Sequence, residues 1–217
     1  MAFSIGMLLL CVMPATAQPA LATEYYPLAV GSKWTYLMVD LRATSSKADP
    51  KRHVYVEVER TEPYLDKKTD KEKVVEKMYT GFLLKSTSGD KVTRDHVVVM
   101  PDGVYRVHAA ETPISPPLPF FKLVLEPGKN SWLADSTSGN TTIKGTFTIS
   151  SVGVTVPLDN FKKAILVSYR SQKAGDDRIE IDYWFVKDVG MVQQRIRTKS
   201  HEVMLKLEKF DDKAKNP

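Results

Sequence analysis

Four histidines, His53, His96, His108 and His201, are the side chains best suited to metal ligation or proton transfer, and their spacing supports neither. No two stand at metal-ligand separation along the chain and there is no H-E-x-x-H motif, so single histidines on strand faces are expected. Among the serines there is no G-x-S-x-G elbow, and the run Ser86 to Gly89 reads as a turn. Phosphate-binding loops and dinucleotide fingerprints are absent as well. Glu180 with Asp182, and Glu57 with Glu59, share strand faces, where paired carboxylates could act as acid and base. The alternation that buries their neighbours turns both pairs to solvent. The expectation is therefore a protein without catalytic residues, metal or cofactor.

Charge points the same way. The chain carries 31 Lys and Arg against 26 Asp and Glu, a net charge of +5, and the signs are interleaved, as in Lys67, Lys68, Asp70, Lys71, Glu72 and Lys73. A nucleic-acid surface would concentrate basic residues on one face with aromatics for stacking, so no nucleic acid is expected as a partner. Arg195, Arg197 and Lys199 do share a strand face with Gln193, but Glu202 and Glu208 on the next strand are placed to answer them. Weak attraction to anionic headgroups or cell-wall polymers stays open.

The elements that must hold these residues repeat every two positions. Val54, Val56 and Val58 fall on one face of a strand, Ile179, Ile181, Tyr183 and Phe185 on one face of another, and Val203, Leu205 and Leu207 on one face of a third. Turn residues separate such runs at Ser88-Gly89-Asp90, Pro101-Asp102-Gly103, Gly139-Asn140 and Asp188-Val189-Gly190. Strands joined this way form antiparallel meanders. The fold class expected is all-β, a single mostly antiparallel curved sheet of about eight to eleven strands, as a half-barrel or a sandwich, with at most one short helix. That helix has its best candidate in Tyr64 to Lys77, which reads equally as a loop or a long hairpin tip. Pro113, Pro116, Pro117 and Pro119 exclude a central strand and predict a surface crossing, pinned by Phe120 and Phe121 onto the core edge or over a cavity mouth. Met78 to Leu84, Val97 to Met100 and Ala164 to Tyr169 are apolar on both faces, so they lie centrally in a sandwich or beneath an apolar groove.

Residues 1–22 read as a secretory signal peptide. Ile5 to Met13 is an apolar run too short to span a bilayer, and Ala15-Thr16-Ala17 and Ala20-Leu21-Ala22 are cleavage sites of small-x-small form. Removal takes away Cys11, the single cysteine, and leaves a cysteine-free mature chain with no transmembrane span. A secreted domain that uses no disulfide fits a bacterial periplasm or exterior. Residues 23–210 are then one β-rich domain and 211–217 a disordered polar tail.

Two stretches resemble a known group. Glu24 to Tyr36 (EYYPLAVGSKWTY) and Val156 to Ile196 (containing IEIDYWFVKDVGMVQQRI) are similar to the bookends of secreted bacterial β-rich proteins of unknown function, with a YPLxxGxxWxY opening and a YWFxxxVGMV hairpin. Those proteins are loosely like the periplasmic lipoprotein-carrier (LolA/LolB-like) half-barrels, which hold acyl chains in a concave sheet. The resemblance implies fold and location and supplies no catalytic residue. In physical terms, Gly31 permits a tight turn before Trp34 and Tyr36, which can fill one end of the core. The function expected is a secreted or periplasmic non-enzymatic protein that binds a lipid or other apolar ligand, with Trp34, Tyr36, Phe120, Phe121 and Trp132 as ligand-binding candidates. The alternative is a structural or interaction module of a cell-envelope or surface assembly, with an envelope protein as partner.

Overall fold

The computed structural model describes residues 22–42, 52–70, 73–123, 128–172 and 178–213. Most of the expected signal segment, with Cys11, lies outside them. Among the described residues one short helix, α1 (Ala22–Tyr25), precedes fourteen strands. They are β1 (Lys33–Asp40), β2 (Arg52–Thr61), β3 (Tyr64–Asp70), β4 (Lys73–Tyr79), β5 (Gly81–Ser88), β6 (Lys91–Met100) and β7 (Gly103–Ala109). After these come β8 (Thr112–Lys122), β9 (Ser131–Ser138), β10 (Thr141–Thr155), β11 (Asn160–Ser171), β12 (Glu180–Val186), β13 (Gly190–Arg197) and β14 (Glu202–Asp211).

All pairings are antiparallel, and twelve strands close on themselves in the order β1-β14-β13-β12-β11-β10-β9-β8-β7-β6-β5-β2. The expectation of an all-β antiparallel sheet with at most one short helix holds. Half-barrel and sandwich are both corrected to a closed barrel. The cause is the dual pairing of β1, which meets its hairpin neighbour β2 on one side (Trp34↔Val56) and the last strand β14 on the other (Tyr36↔Leu207). Closure leaves this sheet no free edge.

The period-two residues point inward. Val58, Phe185, Leu207, Val97, Val104 and Val167 are fully buried in the lumen, while the outer wall carries ion pairs such as Lys33–Glu57 at 3.2 Å and Arg94–Glu59 at 2.9 Å. An apolar lumen with a charged wall reverses the pattern of a membrane-spanning barrel. No helix among the described residues is long and apolar enough to cross a membrane.

One segment takes one of its expected alternatives and another differs from expectation. Tyr64 to Lys77 is a hairpin arm rather than a helix: β3 pairs β4 outside the barrel, Leu65 opposite Met78, with Lys67 and Glu76 joined at 2.8 Å. The proline-rich segment does not cross the surface. It is β8, a strand of the wall itself, paired to β7 through register shifts and to β9 only at Ile114↔Ser138 and Ser115↔Thr137. Proline has no N–H to donate, so a wall strand rich in proline survives by leaving most of one ladder unmade. One side chain bridges the gap, Trp132 Nε1 donating to Pro119 O at 2.6 Å, and Thr137 Oγ1 reinforces the paired end by donating to Ser115 O at 3.0 Å.

One end of the barrel is plugged from within. Ala22, Tyr26 and Leu28 are buried, and the Tyr26 ring packs on Trp34, Phe120 and Phe185 at centroid distances of 6.1, 6.0 and 5.8 Å. The Asp188 N–H donates to Glu24 O, and Lys187 reaches the Glu24 carboxylate at 2.8 Å, so the β12–β13 hairpin clasps this segment.

Candidate functional site

Above that plug the lumen is not filled. A cavity of about 410 Å³ opens at the other end, where the β9–β10 hairpin and the ends of β11 and β12 meet. That volume falls in the range of small-molecule pockets. Leu118, Ile143, Phe147, Tyr169, Ile181 and Tyr183 give it apolar walls, while Thr141, Thr142, Ser171 and Gln172 make a polar rim that Lys144, paired with Asp135, also lines. The registers Phe147↔Tyr169↔Ile181 and Val167↔Tyr183 place these rings on one continuous lumen surface across β10, β11 and β12. Gly145 is what lets the Tyr169 ring lie across β10, since a Cβ there would stand 2.5 Å from the ring and 2.4 Å from Arg170 O. Burial raises the pKa of both Tyr169 and Tyr183, so the walls carry neutral phenols.

One charge stands in this apolar wall. Arg106, cross-strand from Leu118, lines the cavity with its guanidinium carbon 5.2 Å from the Phe120 ring centroid. Its Nε is buried without a hydrogen-bond partner, and the nearest carboxylate oxygen, Asp95 Oδ2, is 3.6 Å away. Burial opposes the charge, but the Asp95 carboxylate favours it, and the guanidinium pKa stands above its ordinary value. Arg106 therefore remains a cation with donors to spare.

The residues proposed from sequence divide into two groups around this cavity. Trp34 and Tyr36 belong to the plugged end: Trp34 Nε1 donates to Val189 O and Tyr36 Oη to Met191 O, each at 2.7 Å, and Trp34 stacks on Phe210 at 5.1 Å. The opening and closing sequence motifs thus lock together, and the Gly190 backbone passes so close that a Cβ would lie 3.1 Å from Trp34 Nε1. Phe121 packs on Phe185 at 4.4 Å, in the same layer. Phe120 and Trp132 back the cavity instead, Phe120 beneath Arg106 and Trp132 stacked on Phe147 at 5.3 Å. None of the five is among the side chains that line it. Arg106 was missed, although it had a signal: it lies two residues after Val104, in phase with an apolar face that should exclude charge.

The other groups with chemical potential lie on the outer wall. Asp182 is not solvated, as the alternation predicted, but only 2% exposed. It accepts from Ser168 Oγ at 2.7 Å, Arg170 Nη1 at 2.8 Å and Arg195 Nη2 at 2.5 Å, and these donors hold its pKa below the ordinary carboxylate value despite burial. The basic stripe is answered in part as expected, by Glu202 to Arg197 at 3.0 Å, whereas Glu208 pairs with His53 at 2.9 Å. His96 and His108 are brought together, their rings stacked at 5.6 Å across β6 and β7, with His96 Nε2 3.0 Å from Glu62 O. Among the described residues no group of three or more His, Cys, Asp or Glu is placed to hold a metal ion.

No family model matches the sequence, and no curated protein matches it. Among solved structures, the chain is similar to a candidate lipoprotein from Parabacteroides distasonis, at 12% identity and a TM-score of 0.46, over 86% of this chain and 98% of that one. It is also similar to a candidate exported protein with a YmcC-like fold from Bacteroides fragilis, at 9% identity and a TM-score of 0.47, over 86% and 98% of the two chains.

Proposed function

We propose that this protein is a secreted or periplasmic, non-enzymatic binder that holds a lipid or other apolar ligand in the lumen of its barrel. The observation that carries the reading is the 410 Å³ cavity, open at one end, walled by aliphatic and aromatic side chains and closed below by the Tyr26 plug. A lumen that served only as a core would be packed to the density of a protein interior, whereas here apolar walls stand open without burying one another. Binding by Phe120, Phe121 and Trp132 is indirect in this reading, through the support they give Arg106 and Phe147, and Trp34 and Tyr36 hold the closed end. Secretion rests on the apolar run and small-x-small sites of residues 1–22.

The test is native followed by denaturing mass spectrometry of the protein secreted by a bacterial host and purified without detergent. An added mass that is reproducible and extracts into organic solvent supports the reading. A bare mature chain that also fails to bind the uncharged fluorophore N-phenyl-1-naphthylamine defeats it.

A second reading, an interaction module of an envelope assembly, is favoured by the β3–β4 arm. Outside the barrel, Leu65 and Met78 face each other across this hairpin at 38% and 62% exposure. Capture of an envelope protein that is lost when both become Ser would support it.

A further inference from the structure

We propose that the ligand is an anionic single-chain amphiphile, held head-inward with its carboxylate or phosphate on Arg106. This rests on the apolar-ligand reading above and names the chemical class. A wholly apolar ligand filling the cavity would strip water from a guanidinium whose Nε already lacks an acceptor and whose nearest carboxylate among the described residues, Asp95, stands 3.6 Å off. Desolvating a cation that way is costly, whereas an anionic head replaces the lost water with charge-assisted hydrogen bonds.

The polarity gradient fixes the orientation. Arg106 sits toward the floor, over the Phe120 ring and within electrostatic reach of Tyr26, while Ile143 and Ile179 line the cavity toward the mouth. The rim hydroxyls and Gln172 are neutral, and Lys144, beside them, is paired with Asp135 at 3.4 Å. Head outward, an anion would meet no unpaired cation among the described rim residues and would leave Arg106 facing hydrocarbon. From Phe147 to Thr141, β10 runs about 20 Å at strand rise, or about 15 Å along a barrel axis tilted by about 40°. That depth suits a chain of medium length.

The experiment displaces N-phenyl-1-naphthylamine with decanoate, decyl phosphate and decanol, which share a tail and differ in the head. Expected for the wild type is displacement by at least one of the anions at a concentration roughly ten- to a hundredfold below that of decanol, the size of a charge-assisted hydrogen bond. Arg106→Met leaves the Asp95 carboxylate with the Ala110 N–H but without its counter-charge and can fail to fold, so the deciding variant is the neutral pair Arg106→Met with Asp95→Asn. The readout is the ratio of anion to decanol displacement within each protein, which should fall to about one in the double variant whatever its affinity for the fluorophore. Equal displacement by decanol in the wild type, or an anion preference that survives in the double variant, would overturn the proposal while leaving the apolar-ligand reading intact. Failure of the fluorophore to bind the wild type would remove both.

Discussion

Replacing Asp182 by Asn tests how the outer wall is held, because its effect should disappear with acid. The carboxylate is 2% exposed and accepts from Ser168, Arg170 and Arg195, the last through both Nε at 3.0 Å and Nη2 at 2.5 Å. Asn keeps the shape and one acceptor oxygen, but it turns an amide N–H₂ toward a guanidinium, so about half of these bonds are lost and the remainder lose their ionic part. Charge-assisted bonds contribute about 1.5–3 kcal/mol each, against about 1 for neutral ones. The arginines are 35% and 27% exposed, and water screens what they lose, so the net cost is about 2 kcal/mol. In a domain of this size that lowers Tm by about 4–8 °C at neutral pH. The pKa of Asp182 is depressed on folding, so its stabilisation is complete above the ordinary value of 3.8 and is lost as pH falls through the lower folded-state value. Thermal unfolding followed by circular dichroism from neutral pH to below that range should show the two proteins converging. A gap that persists at low pH, or no gap at neutral pH, would refute the assignment of this energy to the charge.

Gly190→Ala should cost about 2–3 kcal/mol in urea denaturation, because Gly190 has φ +95° and its new Cβ would crowd Trp34 Nε1 at 3.1 Å and Pro27 at 3.3 Å; an unchanged midpoint would mean the two motifs are not locked there. Trp132→Phe keeps the stack on Phe147 and deletes the bond to Pro119 O, so amide exchange should accelerate in β8 and β9 first, with a loss of about 1–2 kcal/mol. Uniform acceleration round the barrel would contradict a weak β8–β9 seam. Burial lowers the pKa of His96 from 6.5 on folding, so the unfolded chain takes up this proton first and stability should fall as pH drops below about 6.5. His96→Gln should flatten that part of the Tm profile, and an unaltered profile would assign the dependence to another group.

Much of the barrel was legible in local pattern, and what was not depended on distant pairing. The faces Val54/Val56/Val58, Ile181/Tyr183/Phe185 and Leu205/Leu207 follow from alternation alone and point into the lumen or pack against it. Closure could not be read, because it requires β1 to meet a strand at the far end of the chain, and alternation is the same in an open sheet. β8 was misread because its prolines argue correctly against a full ladder, and only the structure reveals that a wall strand here makes half of one. Asp182 alternates outward like a solvated residue. Its burial comes from the register Ser168↔Asp182↔Arg195, which stacks three strands' side chains over it. The aromatics chosen from composition lie around the cavity or at its closed end, while its lining comes from β10 to β12 residues whose phase was clear and whose vacancy was not. Arg106 alone advertised itself, as a cation in phase with Val104.

The most direct test of lumen binding is a crystal structure grown with a fatty acid brominated at the end of its tail, with bromine located by anomalous scattering. Occupancy of the lumen puts the bromine peak inside the barrel wall, near Ile143, Ile179 and Ile181 toward the mouth. A peak on the outer wall, or an empty lumen at saturating ligand, would contradict it.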